Sequence, residues 1–257
     1  MSDLNTKLEY LQETKNLIKQ SIINKGVSVS DSDTFRSYSN KIDSITSGTE
    51  PSWLSEVTNF NSLFANSKAT SIILDSVSNI TKLTSLYRMF GKCFNLKSVD
   101  LSNLNTANVT NMEGLFFYCT ALKNVTLGNF NTSNVTNMAE MFNNCKNLSE
   151  LDLNSFDVSK VTSMSMMFIQ SGLVSLDISS WNTNSLTNSS NMFYQCTKLQ
   201  SINMKNFNPN NIKNNNTMFG GVPTTVKIIT NQTMADWLNT NFPDYTNIEI
   251  VTADWEG

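Results

Sequence analysis

The sequence predicts an α/β solenoid, a stack of short parallel strands and short helices preceded by an N-terminal helical hairpin. Phenylalanine recurs every 25 or 26 residues through seven units, and so regular a period is typical of a repeat architecture. Within a unit, apolar residues follow first a strand spacing and then a helix spacing, and asparagine and serine separate the two. A single unit cannot bury its apolar side alone, so the units are expected to stack.

The repeat consists of columns of equivalent residues. Leucine or methionine precedes each phenylalanine, and a small residue, usually cysteine, comes three positions after it. One residue is missing from the fifth unit, beside Gly172, where a turn can absorb the deletion. The phenylalanine column comprises Phe64, Phe90, Phe116, Phe142, Phe168, Phe193 and Phe219.

Two segments show the structure expected inside a unit. Near the end of the stretch from Leu96 to Leu101 the apolar residues Val99 and Leu101 are two apart, which indicates a short strand with one buried face. Between Val135 and Phe142 they recur at three to four residues, which predicts a short helix. Each unit is therefore expected to run strand, turn, helix, turn, with a parallel sheet along one side of the solenoid.

The repeat resembles the BspA-like leucine-rich repeat of bacterial surface proteins, which has units of about 26 residues. Residues 141–168 carry the pattern most fully, with Cys145, Leu148, the run Leu151–Leu153 and Phe156 at signature positions. The resemblance covers roughly residues 60–222 and weakens at both ends, as capping units of a solenoid do. It implies a leucine-rich-repeat fold and display on a surface.

The flanking segments divide the chain further. We expect a helical anchoring or oligomerisation module at residues 1–48, a linker at 49–52, the solenoid of about seven units at 53–229, and a C-terminal cap with a helix and a strand at 230–257. The N-terminal helices could pack on themselves or on the solenoid end, or could oligomerise, with a trimer favoured. Candidate anchor or oligomer contacts are the apolar residues Leu4, Leu8, Leu11, Ile18, Ile22, Phe35, Tyr38 and Ile42.

A second resemblance involves the N-terminal segment. The stretch from Leu8 to Ile22, followed by Lys25 to Tyr38, is similar to N-terminal segments of bacteriophage tail and other virion proteins. It implies that residues 1–48 bind other virion proteins, and that the chain assembles in the host cytoplasm and is displayed on the virion surface. The start of the sequence carries no recognisable export signal, which agrees with that expectation.

Composition excludes several functions. The sequence contains no histidine, which removes histidine-based triads and metal sites. The net charge of −3 argues against nucleic-acid binding, and no apolar run approaches the ~20 residues of a membrane span. Nucleotide-binding and nucleophile-elbow motifs are also missing. We therefore predict no enzymatic activity, no cofactor, no metal, no nucleic-acid partner and no membrane insertion.

Three columns of the repeat contain residue types that occur in binding or metal sites. The four cysteines are predicted to be buried free thiols, and the methionines to fill the core. Asp100, Asp152 and Asp177 could form an acidic stripe for a cation or basic ligand, or could be solvated or stabilise turns. The exposed face of the sheet is the candidate ligand-binding surface, because solenoids use such extended faces. It comprises Lys97, Asp100, Ser102, Lys123, Thr126, Glu150, Asp152, Asn154, Asp177, Ser179, Asn203 and Lys205.

The functional hypothesis is a non-enzymatic virion protein, part of a tail or head fibre, whose repeats attach to a host-surface glycan or protein. Many weak contacts from polar side chains, multiplied in a homo-oligomer, would give useful avidity. Two alternatives stay open. One is a bacterial cell-surface adhesin of the same repeat family. The other is a purely architectural capsid decoration without a ligand.

Overall fold

The computed structural model describes residues 57–74, 80–128 and 130–252. These residues form a stack of coils, one for each phenylalanine of the column, and we number them coil 1 (Phe64) to coil 7 (Phe219). The predicted hairpin, the linker and the eight candidate anchor residues lie outside the described residues. The solenoid and its leucine-rich-repeat architecture are confirmed.

Short parallel strands form one side of the solenoid, which we call the sheet side. Coils 1 to 3 contribute β1 (Ser71–Ile73), β2 (Ser98–Asp100) and β3 (Asn124–Thr126), which pair in that order. Coils 5 to 7 contribute β4 (Ser175–Asp177), β5 (Ser201–Met204) and β6 (Lys227–Thr230). A last strand, β7 (Ile248–Ile250), pairs with β6 at the sheet edge.

The sheet side is interrupted at coil 4. Its segment at residues 149–153 forms no strand, so the described strands fall into one sheet of three and one of four. The core-facing side chains beside the interruption are less buried than their equivalents in other coils. Val125 and Leu151 are half-buried, whereas Val99 and Ile202 are buried. Weaker burial of the central residue accompanies the interruption.

The opposite side, which we call the turn side, is continuous. One residue of each coil forms a parallel bridge to its equivalent in the next coil. Asparagine at these positions also accepts a hydrogen bond from the backbone N–H two residues later, as Asn137 does from Ala139 at 3.0 Å. Such turns explain the high asparagine content. The bridged residues are Asn59, Ser85, Asn111, Asn137, Ser163, Asn188 and Asn214.

The short helix predicted over Val135–Phe142 needs correction, because the described repeats have overlapping turns at this place. Alternate N–H groups donate to the next coil, for example Met138 to Ser163 (3.0 Å) and Phe142 to Met167 (2.9 Å), so they are unavailable for helical bonds. Glu140 also has a left-handed backbone with φ of 58°, which ends a right-handed helix. These turns bury Val135, Met138, Met141 and Phe142, which are three to four residues apart, and so imitate helix spacing.

Stacked phenyl rings fill the core beside the turn side. Neighbouring rings of the column lie 5.3–5.8 Å apart between centroids and are nearly parallel, with interplanar angles of 1–23°. Offset stacking of this kind adds to the burial energy of each ring. The methionines of the repeat columns are buried, as predicted. The regular period therefore places identical side chains directly above one another.

The C-terminal end of the stack is covered by a helix, α1 (Gln232–Asn241), and the turn after it, so both elements expected in the tail are present. Asn231 caps the helix by accepting from the Met234 N–H at 2.8 Å, and its own amide donates to the Lys205 and Phe207 carbonyls. Beyond the helix, Phe242 packs edge-on against Phe219 at 5.5 Å. The last phenyl ring of the column is thus protected from water.

Candidate functional site

The predicted binding face lies on the outside of the sheet side. None of its twelve residues is buried. Seven are exposed, namely Lys97, Lys123, Thr126, Glu150, Asp152, Asn154 and Asp177. The other five are half-buried, namely Asp100, Ser102, Ser179, Asn203 and Lys205. The structure therefore brings the twelve together on one outward surface that extends from coil 2 to coil 6.

The aspartate column of this face stabilises turns. One carboxylate oxygen of Asp100 accepts the Ser102 N–H at 2.9 Å, and Asp152 and Asp177 make the same bond two residues ahead at 3.0 and 2.9 Å. These are Asx turns, which fix the chain as it leaves the strand. No group of three potential metal-ligating side chains occurs among the described residues. The turn role thus accounts for this column, and nothing favours the cation alternative.

Charge is divided unevenly along the face. The backbone N–H and hydroxyl of Ser102 lower the pKa of Asp100, because both donate to its ionised form. Lys97 and Lys123 lie beside β2 and β3, while Glu150 and Asp152 lie in coil 4. Coils 2 and 3 together therefore carry two lysines against Asp100, a small positive excess, whereas coil 4 carries two carboxylates at the interruption.

A shallow groove of about 270 Å³ marks the interruption of the sheet. Its floor is the half-buried Leu151. Four of the twelve predicted face residues line it, together with Leu151 and Ser175: Glu150, Asp152, Asn154 and Asp177. The predicted face therefore has a depression as well as charged residues at its centre.

A larger cavity, of about 500 Å³, lies outside the predicted face. It is lined by Val174 of coil 5, by residues 197–200 of coil 6, and by Pro223 and Thr225 of coil 7. The deletion beside Gly172 is the only sequence signal near this place, and it points to a change in loop length rather than to a site. Sequence reasoning missed this cavity.

The cysteine column consists of buried free thiols, as predicted. The thiols lie within hydrogen-bonding distance of the phenylalanine carbonyls of the preceding coil, as for Cys119 and Phe90 at 3.0 Å and Cys196 and Phe168 at 2.9 Å. Burial raises the pKa of Cys119 and Cys145, and that of Cys196 to about 11. The thiol contacts join neighbouring coils, and the raised pKa makes Cys119, Cys145 and Cys196 poor nucleophiles. The pKa of Cys93 is instead lowered, chiefly by its hydrogen bond with the Cys119 thiol.

No helix in the described part of the chain is long and apolar enough to cross a membrane.

The solved structures similar to this chain include three bacterial repeat proteins. The leucine-rich repeat protein TpLRR of T. pallidum is 16% identical, with a TM-score of 0.38, and the match covers 72% of this chain and 88% of that one. A leucine-rich repeat protein of Bacteroides ovatus is 18% identical, with a TM-score of 0.28 and coverage of 68% and 59%. The pneumococcal vaccine antigen PcpA is 17% identical, with a TM-score of 0.30 and coverage of 72% and 68%.

Nothing in these comparisons shows a phage tail segment, and the resemblance of the N-terminal segment to virion proteins stays a prediction. No curated protein matches the chain. Two overlapping stretches, residues 32–149 and 120–237, match one family model. The match begins inside the segment predicted to be an anchoring module and extends into α1. The chain belongs to the family described as "Mycoplasma protein of unknown function, DUF285".

Proposed function

We propose that the protein is a non-enzymatic adhesion protein, whose sheet side contacts a glycan or protein on a host surface. The observation that supports this role is the uncovered polar face of coils 2 to 6. Extended faces of this kind are the usual binding surfaces of solenoids. No side chain of the described part is required for bond-making chemistry in this role.

The face has charges that are free to bind a partner. Lys97, Lys123 and Glu150 are exposed, and none of them forms a side-chain hydrogen bond or ion pair with another residue. On the turn side, in contrast, hydroxyl and amide groups are used between coils, as Thr136 is with the Thr110 carbonyl at 3.2 Å. The charged side chains of the sheet-side face are therefore available to a partner.

Each contact on such a face is weak, so attachment would depend on many copies acting together. A homo-oligomer assembled through residues 1–48, a trimer by preference, would supply those copies. We propose this oligomer together with the adhesive role, and the eight candidate contact residues of that segment are its test positions.

The proposal includes two alternative locations for the protein. In one, residues 1–48 bind other virion proteins and the repeats face outward from a phage particle. In the other, the chain is an adhesin of the bacterial cell surface. The family description names a bacterium and no location, so it is compatible with the cell-surface form. Immunogold labelling of intact cells and of purified particles separates the two.

Charge reversal on the sheet side tests the adhesive role. The full chain is incubated with an array of surface glycans and matrix proteins, beside the double variant K97E/K123E and the control Lys213→Glu. Lys213 is exposed one residue before the bridged Asn214 of the turn side. We expect the double variant to lower array binding about tenfold, since it reverses two unpaired charges, and the control to bind like the unmodified chain. Equal binding by all three proteins would contradict the proposal.

A further inference from the structure

Three consecutive loops of the solenoid differ in length. In each coil a loop joins the buried small residue of the cysteine column to the next buried apolar residue. In coil 6 this loop has two residues, between Cys196 and Leu199, as in most coils. In coil 5 the loop consists of Gly172 alone, and in coil 7 it consists of residues 223–225. The loops therefore lengthen by one residue from each coil to the next.

The short loop of coil 5 is held against the preceding coil. A Cβ atom added at Gly172 would lie 2.2 Å from the Lys146 carbonyl oxygen, so only glycine allows this approach. The Gly172 N–H also donates to the Cys145 carbonyl at 3.0 Å. Because this loop is short and the next two are progressively longer, a cavity of about 500 Å³ opens on the side of Val174.

The cavity has an apolar floor and a polar rim. Leu199 is buried, and Val174 and Pro223 are half-buried. Four exposed polar residues complete the lining, and none of their side chains forms a hydrogen bond or ion pair with another residue: Thr197, Lys198, Gln200 and Thr225. This set differs from the turn side, where polar groups are used to join coils. The rim therefore has hydrogen-bonding capacity that the fold does not use.

The residues that line the cavity carry positive charge only. Lys198 is its single ionisable side chain, and no carboxylate is among the lining residues. One unpaired ammonium favours a ligand with a carboxylate. Two hydroxyls and an amide suit the hydroxyl groups of a sugar ring, and the small apolar floor suits its C–H face.

We propose that this cavity is a binding site for a pyranose unit that carries a carboxylate, as hexuronic and sialic acids do. Lys198 pairs with the carboxylate, Gln200 and the two threonines bind hydroxyl groups, and Pro223 contacts the ring. A nucleotide phosphate fits less well, because a single lysine is the one cation of the lining and no glycine-rich phosphate loop is present in it.

None of the twelve residues of the predicted face lines this cavity. The site is therefore additional to the adhesive face, and a free monosaccharide tests it without any surface, cell or oligomer. Failure of the sugar to bind would leave the sheet-side proposal unaffected, and loss of array binding by K97E/K123E would leave this one unaffected.

The experiment titrates the full chain with sodium glucuronate, N-acetylneuraminate or neutral glucose and follows backbone amide resonances. We expect saturable shifts at Thr197, Gln200 and Thr225 with at least one of the two acids, a dissociation constant in the millimolar range, and at least tenfold weaker binding of glucose. Binding of only one of the two acids would support the site and identify which class of acidic sugar it binds. No saturable shift with either acid, or glucose binding equal to theirs, would overturn the proposal.

Variants separate the site from general attraction of anions. Lys198→Gln removes the charge at an exposed position and should weaken acid binding about tenfold, while Lys198→Arg should retain it. The matched control, Lys213→Gln, removes an exposed lysine outside the cavity and should bind like the unmodified chain. If Lys213→Gln weakens binding as much as Lys198→Gln, the shifts report net charge and the site is refuted.

Discussion

The two sides of the solenoid differ in continuity. On the turn side, bridges run without interruption from Asn59 in coil 1 to Asn214 in coil 7. On the sheet side, pairing stops after β3 and resumes at β4. Both sides belong to the same coils, so the interruption at coil 4 does not break the stack. The bridges of the turn side and the ring stack beside it continue through coil 4, and we expect them to keep the coils in register there.

The two sides also differ in how their side chains are used. Side chains on the turn side satisfy neighbouring coils, whereas Lys97, Lys123 and Glu150 on the sheet side have no intramolecular partner. A side that is not needed for register is free to vary in charge and shape. Binding surfaces are therefore expected where pairing is incomplete or loop lengths change.

The strongest test of the comparison is Phe142→Ala at the middle of the ring stack. Phe142 is fully buried and stacks on Phe116 at 5.4 Å and on Phe168 at 5.8 Å. Removing the ring should lower the free energy of unfolding by about 3–5 kcal/mol. Urea unfolding followed by circular dichroism measures the change.

Leu151→Ala, in the same coil on the sheet side, is the matched control. Leu151 is half-buried, so its truncation should cost only about 1 kcal/mol. A larger loss from Leu151→Ala than from Phe142→Ala would show that the sheet side, and not the ring stack, holds the coils in register.

An intermediate effect is expected from Gly172→Ala in the short loop of coil 5. The new Cβ would meet the Lys146 carbonyl oxygen at 2.2 Å, and backbone must move to relieve the clash. We expect a loss of about 1–3 kcal/mol in the free energy of unfolding. Gly91→Ala is the control, because its closest neighbour would be the Arg88 carbonyl at 3.1 Å. Equal thermal midpoints for the two variants would contradict the close approach at Gly172.

The smallest effect concerns acid pH. Hydrogen bonds from Ser102 lower the pKa of Asp100, and those from the Ser159 hydroxyl and N–H lower the pKa of Asp157. A carboxylate whose folded-state pKa is depressed adds stability above its unfolded value of about 3.9, and this stability is lost as the pH falls through the folded-state pKa. Stability should therefore decline below about pH 4.

The variant D100N/D157N tests the origin of this decline. An asparagine amide oxygen can still accept the turn hydrogen bonds but does not titrate in this range. Urea midpoints measured between neutral and acid pH should depend less on pH for the variant than for the unmodified chain. The same dependence in both proteins would show that other carboxylates cause the acid loss.

Periodicity predicted the core more accurately than it predicted local backbone structure. In coils 2 to 6 the columns of Phe116, Met138 and Cys119 repeat buried side chains, so spacing alone located them. The backbone between Val135 and Phe142 could not be predicted in this way, because overlapping turns and a helix both bury residues three to four apart. Left-handed backbone at residues such as Glu140 and Met166 leaves no signal in the sequence, because neither residue type favours it.

The candidate sites show the same limit. The twelve face residues were found because outward positions of a strand follow directly from inward ones. The cavity beside Val174 was not, since it depends on the relative lengths of three loops and on the close approach of Gly172 to Lys146. Those are relations between coils, and a repeat pattern describes each coil separately.

Repetition of one bonding pattern also has a mechanical consequence. If the protein attaches to a surface as we propose, it will be pulled, and each coil is bound chiefly to its two neighbours through bonds that repeat along the stack. Tension applied at one end should therefore peel coils in succession rather than break the whole domain at once. Every released coil of 26 residues would add roughly 90 Å of extended chain. The molecule could lengthen under load while the remaining coils stay folded.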